Sequence, residues 1–423
     1  MEKKVIKRAP LTFGQLSLWR SVQGMAPEGY NLTDIWKLPA RSTLASVEGA
    51  LEALERRHEG LRTRYEQDGK GDLTQAVWDP APIRLNVVEA GGDPDATASA
   101  AAQGLAVKGF DLARDRPWRA CVIAVEGACV RLVVCFHHIV VDGWSLNQLR
   151  AEFLTLAGGG QLPGSSPSAS ALAIEQWSAA QRNRRDSARR FWQGIFESAP
   201  AMHREPPSGP MTTRWAKLAS DEACDAAGRI AARLRVSVPS VVLAAFCLAL
   251  SRRTGQDKLL IAVYINNRSD PRWRTLVASQ NQIVPVLVTL HPDEHFDALV
   301  SRVHRDSFRA YLHGAHNVDD VHELGAEHGY SGSVNGAAEG SVSGFFRYFF
   351  NYLGQGQPDQ APRSGKIATG SAGRNIGAPL YLQVHDGKTL TCTLRENSAD
   401  TGFDNVTELA YLLMDLIKAA GEK

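Results

Sequence analysis

Apolar positions in the first half of the chain recur with two periods. In "STLASVEGALEALERRHEGL", Leu44, Val47, Leu51 and Leu54 lie on one helical face, which predicts a helix. "LRTRYE" and "LTQAVW" alternate instead, around the turn-forming "QDGKGD", and predict a β-hairpin fed by that helix. After "IRLNVV" an Ala-rich helix is predicted over 94–107. "WRACVIAVEGACVRLVVCF" predicts two strands joined at Glu126-Gly127, the second ending at His137 and His138. "SLNQLRAEFLTLAGGG" predicts a helix that begins at Ser145, with Ser145 and Gln148 as a capping box, and that stops at the glycine run 158–160. A single helix is predicted over 171–196.

The second half repeats the alternation. Helices are predicted at 221–235 and 239–253, with Pro239 in a first turn and Gly255 as the stop. "KLLIAVYI", "PVLVTL" and "FFRYFFNYLG" read as strands, and "PLYLQVHDGKTLTCTLRE" as a hairpin around Asp386-Gly387. "HFDALVSRVHRDSFRAYL" and "VTELAYLLMDLIKAA" are amphipathic helices. A Gly/Ser/Pro-rich stretch at 158–170, a loop at 201–213 and a Gly/Ser-rich stretch at 329–344 punctuate the pattern. The result is an α/β chain whose 423 residues exceed one ordinary core, so two lobes are expected.

Charge and cysteine content narrow the function classes. Lys plus Arg is 47 and Asp plus Glu 45, a net +2, so no global field points to nucleic acid or membrane. The longest apolar run, "VVLAAFCLAL", is too short to span a bilayer, and no apolar segment follows the basic N-terminus. The six cysteines form no C-x-x-C pair and read as small core residues. A cytoplasmic protein with neither nucleic-acid nor membrane partners is expected. No metal is expected: His313, His316, His322 and His328 lack ligand spacing and read as a solvated helix. Arg182, Arg184, Arg185, Arg189 and Arg190 read as a solvated face, with docking of an acidic partner as the sharper alternative. The chain carries neither a Walker lysine in its Gly-rich stretch nor a G-x-S-x-G elbow.

One stretch departs from this ordinary picture: "FHHIVVDGWSLNQL", residues 136–149. A strand ending in two histidines, then a loop, then a capped helix, holds polar groups on rigid elements, as a site requires. A histidine there can accept a proton near neutral pH. Two structural histidines with local hydrogen bonds are the bland alternative. "HHIVVDG" resembles the HHxxxDG signature of the condensation domains of nonribosomal peptide synthetases, within the chloramphenicol-acetyltransferase-like acyltransferase superfamily. The resemblance extends in order through "LTFGQLSLWR" (11–20), "RHEGLRTRYE" (57–66), "FDLARDRPWRA" (110–120), "AIEQWSAAQ" with "RRFWQGIFESAP", "VYINNRSDPRWRTLVASQNQIVPVLVTL" and "FNYLG" (350–354). The usual Tyr and Asp before the Trp of "AIEQWSAAQ" are missing.

The resemblance implies an α/β fold of mixed sheets: two chloramphenicol-acetyltransferase-like lobes in a V-shaped pseudo-dimer, with the active-site tunnel between them. Residues 1–175 would form the lobe carrying HHxxxDG and 176–423 the other, part of 350–400 crossing back. The implied chemistry is acyl transfer from a phosphopantetheinyl thioester on an acyl or peptidyl carrier protein to an amine or alcohol. His138 would be the catalytic histidine, as general base or as a group that orients the acceptor and stabilises charge; both readings stand. His137 would be architectural, and Asp142 would pair with Arg268 in a structural role. Gly143 would leave room for the thioester or offer a backbone N–H, and Asn351 would lie near the acceptor. Trp144, also near the site, would pack in the core, and Ser145 would cap the helix. No cofactor would be bound by the chain itself. The chain lacks adenylation motifs and a carrier serine motif, so a free-standing or excised condensation domain is expected. A non-catalytic docking module, an epimerization-type domain and a coenzyme A-dependent acyltransferase are the alternatives. The E-G-H-G-R-E segment of epimerization domains is absent, "AVYINNRS" standing in its place.

Overall fold

A computed structural model describes residues 4–22, 28–199, 213–330, 345–355, 362–372, 378–397 and 405–422. The expected loop at 201–213, except Thr213, and all but the first two residues of the Gly/Ser-rich stretch at 329–344 lie outside these. The chain divides into two compact units, residues 1–183 with 266–281, and 184–265 with 282–423.

The first unit holds β1 (Val5–Pro10), α1 (Phe13–Val22), β2 (Asn31–Lys37), α2 (Leu44–Arg57), β3 (Thr63–Gln67), β4 (Leu73–Trp78), β5 (Asn86–Glu89), α3 (Pro94–Ala106), β6 (Trp118–Val125), β7 (Ala128–His137), α4 (Gly143–Ala157) and α5 (Ala169–Trp177). Its sheets run β1-β4-β3 and β2-β7-β6-β5. β6 and β7 are joined by Glu126 and Gly127, with φ of 50° and 77°. Two positive φ values in a two-residue loop follow the right-handed twist of the flanking strands, and glycine takes the second at no steric cost. α3 packs Ala98 and Ala102 on one face of the second sheet, over Cys121, Ile123 and Val133.

Residues 266–281 lie far along the chain yet complete the first unit. Gly14 permits their approach: a Cβ there would sit 2.5 Å from the Ser279 carbonyl oxygen and 2.7 Å from Gln280 Cα. The interior of this unit is closed by large side chains, among them Trp36, Tyr65 and Phe153, each fully buried.

The second unit begins within α6 (Arg182–Ser198) and holds β8 (Thr213–Ser220), α7 (Asp221–Leu234), α8 (Val238–Thr254), β9 (Lys258–Ile265), β10 (Gln282–Thr289), α9 (Phe296–Tyr311), α10 (Val318–Glu327), β11 (Tyr348–Gln355), β12 (Ile367–Ala372), β13 (Leu380–Asp386), β14 (Leu390–Asn397) and α11 (Val406–Gly421). One mixed seven-stranded sheet runs β10-β9-β11-β13-β14-β8-β12. Helices α7, α8, α9 and α11 bury their apolar faces with this sheet in one core. α8 is buried on nearly every side from Ser240 to Leu250, so its sequence is apolar all round, without an amphipathic pattern. Among the described residues no single helix is long and apolar enough to cross a membrane.

Three expectations change. The unit boundary falls at 183/184, eight residues past the expected 175/176, and the segment of the second half that belongs with the first unit is 266–281. The described residues of 350–400 stay in the second unit, because β11, β13 and β14 are interior strands of its sheet and β12 its edge. The single helix over 171–196 is two helices, because Ser178 is extended (φ −64°, ψ 157°) and caps α5 through a bond to the Glu175 carbonyl.

Candidate functional site

The two histidines end β7 in different surroundings. His137 is the last strand residue, 2% exposed, opposite Asn31 of β2. Its Nδ1 accepts from the Ile139 N–H at 3.2 Å, so the neutral ring carries its proton on Nε2. Burial, with a smaller contribution from His138 beside it, holds the His137 pKa far below its ordinary value, at about 3. His137 is therefore neutral at physiological pH and occupied as an acceptor. His138 is half-buried, and its backbone N–H continues the ladder one step by donating to the Tyr30 carbonyl at 2.9 Å. Its Nδ1 is buried with no hydrogen-bond partner among the described residues.

Asp142 and Arg268 form a closed pair inside the first unit. Asp142 is 0% exposed and Arg268 5%. Arg268 Nη2 donates to both carboxylate oxygens, at 2.9 and 2.8 Å, and to Ser145 Oγ at 2.9 Å. Nη1 donates to the Leu276 carbonyl at 2.8 Å. Asp142 also accepts from the N–H groups of Ser145 (2.8 Å) and Gln280 (3.2 Å). A carboxylate so engaged has no lone pair free for proton transfer. Removing either partner would leave the other charge buried without compensation.

This arrangement corrects the expected start of α4. Asp142 is its N-cap, and the helix begins at Gly143. Ser145 does not cap it: its hydroxyl donates to the Ala278 carbonyl at 3.0 Å, while Gln148 turns to Glu152 and the Thr275 carbonyl. D-x-x-S and S-x-x-Q compete here, and the buried carboxylate takes the Ser145 N–H of the helix. Trp144 is not core: it is 47% exposed, with Nε1 donating to the Arg274 carbonyl at 3.0 Å. Gly143 is exposed, and a Cβ added there would meet nothing within 4 Å. No atom of the described residues demands a glycine at this position.

Asn351 lies in β11 of the second unit, half-buried, its Nδ2 donating to Tyr381 Oη at 2.7 Å. The later histidines are packed groups, contrary to the solvated helix expected: His316 is buried against Trp192, and His313 stacks on Phe191. Of the basic side chains on α6, Arg189 pairs with Glu323 and Glu327 of α10. Tyr30, Gln280 and the carbonyls of 276 and 278 were missed from the sequence because they act through backbone atoms, which leave no mark in side-chain type.

Comparison with known proteins identifies the family and the fold. The family model described as "Condensation domain" matches residues 5–332. The chain is 29% identical over 279 residues to the nonribosomal peptide synthetase kk1B of Curvularia clavata, covering 62% of this chain and 2% of that protein. It is 31% identical over 297 residues to N-(5-amino-5-carboxypentanoyl)-L-cysteinyl-D-valine synthase of Amycolatopsis lactamdurans, covering 67% of this chain and 8% of that protein. The solved condensation domain of the monacolin K polyketide synthase MokA superposes with a TM-score of 0.80 at 18% identity, over 99% of this chain and 98% of that one. The fold is therefore the expected mixed α/β, chloramphenicol-acetyltransferase-like one, and the chain belongs to the condensation-domain family. It spans only a small part of the length of either curated relative.

Proposed function

We propose that this chain is a condensation enzyme. It moves the acyl group of a phosphopantetheinyl thioester, presented by an acyl or peptidyl carrier protein, onto an amine or alcohol, forming an amide or ester in natural-product assembly. The observation that carries this reading is the division of labour in HHxxxDG. His137 is dry and occupied, Asp142 is locked to Arg268, and His138 alone of the three is half-exposed with no side-chain hydrogen bond among the described residues.

The chemistry follows from that division. His138 Nδ1 is buried, so Nε2 is the nitrogen open to a reactant. The acceptor nitrogen or oxygen attacks the thioester carbonyl carbon while Nε2 takes its proton. The tetrahedral centre collapses, the carbon–sulfur bond breaks, and the same proton returns to the departing thiolate. His138 is thus restored, and no cofactor is consumed. Gly143 leaves the space through which the thioester lies against the start of α4. The intact HHxxxDG motif speaks against a non-catalytic docking module, and "AVYINNRS" in place of an E-G-H-G-R-E segment speaks against an epimerization-type domain.

The test is intact-mass detection of acyl loss from a loaded carrier, with candidate amines and alcohols supplied. The wild type should transfer, and His138→Ala should lose transfer at least about a hundredfold with an unchanged melting curve. Transfer by His138→Ala at the wild-type rate would remove this residue from the mechanism. Deuterium exchange at the acyl α-carbon without transfer would favour epimerization.

A further inference from the structure

The end of β7 is held from behind by groups the acyl-transfer reading does not use. In the sheet register Asn31 lies opposite His137 and Arg119 opposite Cys135, so all four side chains share one face. α3 packs on that same face and ends beside them. Its last carbonyls and those just beyond need donors, since a helix C-terminus leaves them unpaired. Asn31 Nδ2 donates to the Ala106 carbonyl at 2.8 Å and to that of Lys108 at 2.7 Å. Arg119 Nη2 donates to the carbonyls of Lys108 at 3.0 Å and Gly109 at 2.7 Å. Arg119 also lies 3.7 Å from the centroid of the Phe110 ring. Phe110 in turn meets His137 edge to face, at 6.1 Å and 86°.

We propose that Arg119 is a positioning residue for the histidine pair: by clamping the segment after α3 it sets Phe110 against His137, keeps that ring dry and in one tautomer, and thereby fixes the turn that carries His138. The turn depends on His137 as an acceptor. Ile139 N–H donates to its Nδ1, and Val140 N–H donates to its carbonyl at 3.1 Å. A protonated His137 could not accept from Ile139, and it would set a cation beside His138. Among the described residues, β2 brings neutral Asn31 to His137, β6 brings Arg119, β7 brings Cys135, the turn after it brings His138, and the segment after α3 brings Phe110. A guanidinium suits the clamp because its Nη2 reaches both carbonyls while the planar group stacks on the ring.

The importance of this arrangement to catalysis rests on the acyl-transfer reading, but the clamp itself is tested without substrate. The full chain is labelled with ¹⁵N-histidine, and His137 is assigned by its absence in His137→Gln. Wild-type His137 should stay neutral, with unprotonated Nδ1, from neutral pH down to about pH 5. In Arg119→Ala and in Phe110→Leu, His137 should begin to titrate in that window, an upward shift of at least about two pH units. Arg119→Lys should recover part of the wild-type behaviour. If His137 stays neutral with one tautomer in both variants, the proposal is overturned. Should Arg119→Ala not fold, Phe110→Leu decides by the same criterion. A shifted His137 together with a wild-type chain that transfers no acyl group would leave the clamp standing and remove only the acyl-transfer reading.

Discussion

Neighbouring residues at the end of β7 meet different surroundings because the strand ends between them. His137 belongs to the face covered by α3, and His138 begins the turn. Asp142, four residues on, shows the same economy: one carboxylate caps α4, receives Gln280 and neutralises Arg268. Its loss should therefore cost more than a helix cap. In Asp142→Asn the amide can still cap the helix, since Asn and Asp are comparable there. Arg268 would keep its charge in a site 5% exposed, with carbonyls and a hydroxyl as its remaining partners. Breaking a buried pair by removing one partner costs about 3–5 kcal/mol. Ser145→Ala, which removes hydrogen bonds but no charge, should cost about 1–2 kcal/mol. Urea unfolding midpoints of the two variants should rank in that order. Equal losses would mean that the charge pairing with Arg268 is worth no more than the hydrogen bonds of Ser145.

At the scale of elements, the strongly periodic segments were legible and the weakly patterned ones were not. The helix after Thr43, the hairpin at Glu126-Gly127 and the helix between Pro239 and Gly255 stand where the pattern put them, because each joins a clear apolar period to a specific turn or cap. β1, β2, β8 and β12 went unread. β1 and β2 are half-exposed, and β8 and β12 have short or mixed apolar patterns that no alternation rule selects. HHxxxDG was readable as a motif, yet the start of α4 was misplaced, since two capping patterns overlap within four residues and only burial decides between them. The reason Gly14 must be small was also hidden, because it depends on a backbone 265 residues away in the chain. Here a substitution separates packing from chemistry. In Gly14→Ala the new methyl would meet the Ser279 carbonyl oxygen at 2.5 Å, so 279–280 must shift and the Gln280 N–H must draw back from Asp142. Overpacking of this kind costs about 1–3 kcal/mol. The Gln280 amide should also exchange with solvent faster in the variant. An unchanged melting curve and unchanged exchange would show that this backbone yields without loss.

At the scale of the whole molecule, the chain leaves the first unit at Asn183 and returns to it for residues 266–281 only. That short return supplies Arg268 to Asp142, the Leu276 and Ala278 carbonyls to the Arg268–Ser145 cluster, and the backbone that covers Gly14. A fragment of residues 1–183 would keep both sheets of the first unit and both histidines. It would also keep a buried carboxylate with no cation, and an exposed seam where 266–281 belong. One uncompensated buried charge, worth about 3–5 kcal/mol, is a large share of the 5–15 kcal/mol by which a domain is ordinarily stable. Residues 1–183 alone are therefore expected to lack a cooperative thermal transition, although they contain the whole HHxxxDG motif. Asp142→Leu in the same fragment removes the unpaired charge and should recover part of the transition, because apolar replacement relieves the desolvation cost. Circular dichroism melting of the two fragments decides the matter. A sharp transition in the unmodified fragment would show that the first unit folds without its returning segment, and that Arg268 acts on the site after folding, not during it.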